Sequence, residues 1–144
     1  MIGLIQRVSK ASVLVDACTV GSIERGFLLY LGIEQGDTST HAEKLVHKVL
    51  NLRVFEDKAG KMNDSLQQIN GALLVVSQFT LAVTTQTGHR PSFSAAAPPD
   101  QAARLYEYFI AQSRSAVQVE TGRFGANMQV TSVNDGPATF YLKI

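Results

Sequence analysis

Residues 26–33 read Gly26-Phe27-Leu28-Leu29-Tyr30-Leu31-Gly32-Ile33, a run in which only the glycines and Tyr30 interrupt aliphatic or aromatic side chains. A strand with one wet face alternates apolar and polar residues. A continuous run is expected of a strand covered on both faces. Ala72 to Val76 (ALLVV) reads the same way and runs on into Ser77-Gln78-Phe79-Thr80-Leu81. Two such strands need a layer on each side, so the neighbouring segments decide the architecture. Between them, Thr38 to Leu50 carries Ala42, Leu45, Val46, Val49 and Leu50 at the spacing of one apolar helix stripe. Thr38 or Thr40 would cap it, and Thr40 with Glu43 has capping-box spacing. A second helix is expected after Pro98-Pro99-Asp100, with Ala102, Leu105, Tyr106, Phe109 and Ile110 as its stripe.

Outward from this centre, Ile2, Leu4 and Val8 alternate with polar neighbours, and Val13 and Val15 follow. Asp16 to Thr19 is a hairpin turn into Val20–Ile23. Lys58 to Lys61 reads as a turn, and Asn63-Asp64-Ser65 as a polar loop. Two short strands, about 127–133 and 138–143, flank Asn134-Asp135-Gly136-Pro137. The fold class expected is α+β: a layered or barrel-like β-sheet core with two main helices packed on one side. The length of 144 residues suits one domain, 1–144.

Composition narrows the functions. Thirteen Lys and Arg against twelve Asp and Glu give a net charge of +1, which excludes a strongly basic nucleic-acid coat. The charged fraction, 17%, is below the roughly 25% of soluble domains and leaves room for a surface covered by a partner. A single cysteine, Cys18, placed in the hairpin turn, makes no internal disulfide and suits a reducing cytoplasm. No apolar run reaches the roughly 18 residues of a membrane span, and the first ten residues alternate rather than form a signal core. His41 and His47 stand about 240° apart around a helix, so they do not share a metal from one face. Both are expected as solvated surface residues. Phosphate-loop, dinucleotide and serine-elbow motifs are absent, and no metal or cofactor is expected.

Three places are costly for a purely structural domain. In Ser77–Leu81, a regular strand would put Gln78 and Thr80 on one side, either presented to a ligand or simply emerging into solvent. Asn134-Asp135-Gly136-Pro137 reads as an ordinary trans turn, in which Gly136 lets backbone approach a ligand. Residues 84–97 lack periodicity and hold His89 and Arg90, which would meet a phosphate or only keep the loop soluble.

SQFTL at Ser77–Leu81 and NDGPAT at Asn134–Thr139 resemble the paired signatures of the D-aminoacyl-tRNA deacylases. IQRV at Ile5–Val8, KVLNLRVFED at Lys48–Asp57, GKMN at Gly60–Asn63, RPSFS at Arg90–Ser94, AAPP at Ala96–Pro99 and ETGRFGANM at Glu120–Met128 are similar to that family's pattern in its order. The resemblance implies a cytoplasmic homodimer that hydrolyses the ester joining a D-amino acid to the acceptor end of tRNA, without metal or organic cofactor. It extends to the glycyl ester and spares L-aminoacyl esters. It implies that Ser77, Gln78, Phe79 and Thr80 form the catalytic segment. It also implies a cis Gly136–Pro137 bond reaching into the partner's site as a chirality filter, oriented by Arg7. Ala138 departs from the family's usual valine, which would loosen the packing beneath the motif if the position is buried.

Thr80 has no histidine, lysine or carboxylate beside it in its strand, so an oxyanion or positioning role is preferred to a nucleophile. The ribose hydroxyl next to the ester would then activate water, with Gln78 positioning ribose or water. Two other readings compete: a small-molecule esterase or imine hydrolase without RNA, and a non-catalytic dimeric binding barrel.

Overall fold

The computed structural model describes residues 1–83 and 89–144. The chain order is β1 (Ile2–Val15), β2 (Cys18–Ile23), β3 (Gly26–Gly32), α1 (Ser39–Asn51), β4 (Phe55–Glu56), β5 (Met62–Asp64), β6 (Ala72–Ser77), a 3-10 turn (Phe79–Ala82), α2 (Pro99–Arg114), β7 (Gln118–Thr121) and β8 (Gln129–Lys143). Asp16 and Ala17, both with positive φ, make the tight turn between β1 and β2. Cys18 therefore opens a strand rather than lying in the turn, and it is exposed.

The sheet has six strands in the order β2-β1-β3-β6-β7, with β8 also paired to β1. The fourteen-residue β1 is the hinge of this arrangement. Its first half, Ile2 to Val8, pairs with β3, its second half, Ala11 to Val15, pairs with β2, and β8 follows it along both. A strand that serves different partners along its length must bend, and the sheet curls with it. At Gly21 of β2 an added Cβ would stand 2.4 Å from the Thr121 carbonyl of β7. Glycine is what lets these two edges touch and the barrel nearly close.

β3 pairs parallel with β6, and β6 parallel with β7. Parallel neighbours need a crossover, and α1 and α2 supply the two. The run at 26–33 is apolar throughout because both its faces are covered. Phe27, Leu29 and Leu31 join Leu45, Val49, Tyr106 and Phe109 beneath the helices. Leu28 joins Val8, Val13, Leu74 and Val76 inside the barrel. Each such side chain, fully buried, contributes about 1.5–3 kcal/mol. The Tyr106 hydroxyl donates to the Val75 carbonyl at 2.9 Å, and burial pushes its phenol pKa upward.

Several expectations change in detail. The cap of α1 is Thr38, whose N–H donates to His41 Nδ1 at 3.1 Å. His41 is thus a half-buried capping residue and not a free surface histidine, and Glu43 instead accepts from Tyr108 at 2.6 Å. The Thr40–Glu43 box is not used, because the helix starts two residues earlier than a Thr40 cap would place it. The polar loop at 63–65 contains β5, paired with β4. The two C-terminal strands are one, β8, because Asn134 still pairs with Val8 and Thr139 with Gln6 across the Gly136–Pro137 step. No helix of the described residues is long and apolar enough to cross a membrane.

Candidate active site

The polar end of β6 owes its shape to a glycine on its neighbour. β3 stops at Gly32, where a Cβ would stand 2.9 Å from the Leu81 Cβ and 3.2 Å from the Gln78 carbonyl oxygen. The chain after Ser77 folds over that gap. Gln78 N–H still donates to the Leu31 carbonyl at 2.8 Å, but Phe79–Ala82 then winds into the 3-10 turn. The regular alternation expected through Leu81 therefore ends at Ser77. Phe79 and Thr80 are exposed, while Ser77 and Gln78 are half-buried.

This turn has two chemical consequences. Gln78 Nε2 donates to Thr80 Oγ1 at 2.6 Å, and no described histidine, lysine or carboxylate hydrogen-bonds that hydroxyl. The N–H groups of Phe79 and Thr80, at the start of the turn, donate to no acceptor among the described residues.

Beside the turn lies a cavity of about 490 Å³. Leu31 and Val76 form its floor, Ala102 of α2 one wall, and Phe124 and Met128 the other, with Ser77, Gln78 and Asn127 as its polar lining. It sits at the carboxyl ends of the parallel strands β3 and β6, the usual ligand position in sheets of this kind.

The second motif lies elsewhere. The Gly136–Pro137 peptide is cis, in place of the trans turn that its residues alone suggest. Gly136 has φ 146°, and a Cβ there would stand 2.8 Å from the Ala138 nitrogen and 3.3 Å from Arg7 Nη2. Arg7, 6% exposed, donates from Nε to the Asp135 carbonyl at 2.9 Å and from Nη1 to the Val54 carbonyl at 2.5 Å. Its guanidinium also lies 3.6 Å from the Asp135 carboxylate. Asn134 closes the segment: its Oδ1 accepts from Ala138 N–H at 2.9 Å and its Nδ2 donates to Thr139 Oγ1 at 3.0 Å. Ala138 is buried, whereas Gly136 and Pro137 are exposed.

The fold thus brings Ser77, Gln78 and Phe79 to the lining of one cavity, with Thr80 hydrogen-bonded to Gln78 and outside that lining. It gathers Arg7, Gly136 and Pro137 into one cluster on β1 and β8. The dipeptide does not line the cavity of its own chain. His89 and Arg90 are exposed, and the first part of their loop, 84–88, lies outside the described residues. Sequence reasoning missed Asn134 as the clamp, Val54 as the second acceptor for Arg7, and Gly32 as the cause of the turn. Asn134 carried a signal, a short amide just ahead of a Gly-Pro step. The other two depend on contacts far along the chain. Among the described residues no group of three or more His, Cys, Asp or Glu is placed to hold a metal.

Residues 4–143 match the family model for D-Tyr-tRNA(Tyr) deacylase. A protein of Shewanella baltica (strain OS185) named D-aminoacyl-tRNA deacylase is 59% identical over 145 residues, covering all of both chains. One of the same name from Actinobacillus pleuropneumoniae serotype 5b (strain L20) is 57% identical over 144 residues, again with full coverage. Among solved structures, the c-Myc DNA Unwinding Element Binding Protein superposes with a TM-score of 0.96 at 41% identity, covering 100% of this chain and 99% of that one. A structure described as "a probable eukaryotic D-amino acid tRNA deacylase" superposes with a TM-score of 0.85 at 18% identity over 98% of both chains, a likeness of fold.

Proposed function

The chain belongs to the D-Tyr-tRNA(Tyr) deacylase family, and from that premise we propose that it is a hydrolase that cleaves the ester of D-aminoacyl-tRNA, releasing D-amino acid and tRNA. The observation that carries this reading is the turn at Phe79–Ala82. It leaves two N–H donors without an acceptor among the described residues, at the mouth of a cavity large enough for a nucleoside. The terminal adenosine enters the cavity, and the ester carbonyl lies against the Phe79 and Thr80 N–H groups and the Thr80 hydroxyl. These donors hold the oxyanion that forms when water attacks the carbonyl carbon. Gln78 orients the Thr80 hydroxyl toward that oxygen.

Thr80 is not the nucleophile in this mechanism, because the described partner of its hydroxyl is an amide, which takes no proton. The ribose 2′-hydroxyl instead orients the water and relays the proton that the water gives up to the 3′-oxygen. The bond from the carbonyl carbon to that oxygen breaks as the new bond to the water oxygen is kept, and the 3′-oxygen leaves as the ribose hydroxyl.

Two copies of the chain make the working enzyme. Gly136 and Pro137 are exposed and outside the lining of their own chain's cavity, yet hydrogen-bonded in place on both flanks, which suits a template used by a partner. Their main chain faces the substrate α-carbon and leaves room for hydrogen where an L side chain would project. A glycyl ester, with hydrogen at both positions, is admitted as well. His89 and Arg90 meet the acceptor-end phosphates, and the reaction takes place in the cytoplasm within one domain, 1–144.

Replacing the terminal adenosine by its 2′-deoxy form tests the mechanism. Hydrolysis of D-tyrosyl-tRNA should become severely slow, and undiminished hydrolysis would overturn the role of the ribose. Competition by uncharged tRNA is expected; its absence would favour a small-molecule esterase. A monomer in solution would contradict the cross-subunit template.

A further inference from the structure

Phe93 belongs to no role described so far, and its ring is 49% exposed. It lies against Phe79, itself 59% exposed, with ring centroids 5.4 Å apart and planes inclined at 35°. Two large phenyl rings kept in water at a cavity mouth are costly for folding, since each gives up burial available elsewhere. They are also held firmly. The Phe93 carbonyl accepts from Ala96 N–H at 3.1 Å, and Gln35 binds the next residues through Nε2 to the Ser94 carbonyl at 2.7 Å and N–H to the Ala95 carbonyl at 3.1 Å. Ala97 N–H then donates to the Ile33 carbonyl at 2.9 Å, fixing the segment to the end of the β3 run. The rings are thus preorganised, not left over from a loose loop.

We propose that Phe79 and Phe93 form a stacking platform for the nucleobase immediately preceding the terminal adenosine of the acceptor end. This rests on the deacylase reading above. The cavity has room for one nucleoside, and Phe79 lines it while Phe93 packs against Phe79 from outside the lining, so the pair extends the site beyond that nucleoside. Exposed aromatic faces bind unpaired bases with little regard to sequence, as an enzyme serving several tRNAs requires. Arg90 is three residues from Phe93, within about 11 Å along the chain, so its guanidinium reaches the phosphates flanking a stacked base. The net charge of +1 fits a grip made by stacking more than by phosphate contacts.

The test compares two substrates carrying the same D-amino acid, D-aminoacyl-tRNA and D-aminoacyl-adenosine, with Phe93→Leu and Phe93→Tyr. Leucine keeps an apolar contact to Phe79 without an aromatic face. Phe93→Leu should lower kcat/KM on the tRNA substrate, through KM, by about 5- to 100-fold more than on the adenosine ester. Phe93→Tyr should restore it. A short single strand with 2-aminopurine before its terminal adenosine should be quenched by wild type and by Phe93→Tyr, and not by Phe93→Leu. Equal losses on both substrates would overturn the platform, because Phe93 would then only support the turn at Phe79. A loss seen with D-tyrosyl but not D-alanyl esters would also overturn it, assigning the rings to the amino-acid side chain. If wild type cleaves neither substrate, the deacylase reading itself fails, independently of the quenching result.

Discussion

The turn at Ser77–Thr80 and the cis step at Gly136–Pro137 are both backbone features at the surface, yet they are built in opposite ways. The turn is anchored by Gln78 N–H on the Leu31 carbonyl but leaves two N–H donors without an acceptor among the described residues, beside a threonine hydroxyl whose one described partner is two residues away. The cis step is held across the whole chain. Arg7 reaches it from β1, Asn134 bridges over it, and the carbonyl before Gly136 is satisfied. In the proposed enzyme the catalytic segment needs open donors, whereas the template needs to be held in place, and the backbone groups flanking the dipeptide, the Asp135 carbonyl and the Ala138 N–H, are the saturated ones. The contrast between an open turn and a step with saturated flanks separates proposed chemistry from proposed selection.

Thr80→Ala gives the largest break in this contrast. It removes one oxyanion donor and should slow deacylation about 100- to 1000-fold. A loss near the millionfold of a missing nucleophile would contradict the substrate-assisted mechanism. Gly136→Ala strikes the saturated side. The added Cβ meets the Ala138 nitrogen at 2.8 Å and displaces the step. The ratio of D- to L-ester hydrolysis should fall by about 100-fold. An unchanged ratio would remove the template from the account.

Arg7→Lys sharpens the same side more gently. One ammonium cannot reach both the Asp135 and Val54 carbonyls. Denaturant unfolding should show a loss of about 1–3 kcal/mol, together with a drop in the D-to-L ratio of about tenfold. A stability loss with an unaltered ratio would make Arg7 a purely structural residue.

The smallest effect concerns the frame that joins the two regions. Glu34, bridged to Ala96 beside the cavity, pairs with Lys143 of β8 at 2.8 Å and with the Met1 ammonium at 3.2 Å. Burial raises its pKa, but the hydrogen bonds and charges of Lys143 and the ammonium outweigh this and hold it below the ordinary glutamate range. Its contribution is therefore complete above that range and is lost as pH falls through the lowered value. Melting temperature should drop across this acidic window in wild type, and Glu34→Gln should flatten the slope.

The buried core was legible because burial on both faces leaves a composition signature, as in Phe27 to Leu31 and Ala72 to Val76. Helix positions followed from the 3.6-residue stripe, and the family from motifs in order. What escaped depends on contacts distant in sequence. Nothing near Thr80 announces that Gly32 will let the strand wind into a turn. The residues around Gly136 alone read as a trans turn between two strands; only the family resemblance points to Arg7 and a cis bond, and nothing local announces that Val54 also anchors Arg7. Thr38 is one of the two expected caps of α1, and only its box partner escaped, for a local reason: a histidine ring nitrogen does what the expected glutamate would have done. Phe93 escaped because a single phenylalanine in an irregular loop resembles any other until its partner is seen.

The most direct test is a matched deacylation assay on the D- and L-tyrosyl forms of one tRNA with the wild-type protein. A main-chain template predicts rapid release of D-tyrosine and an L-ester that decays at its spontaneous rate. Equal enzymatic rates on the two esters would contradict it.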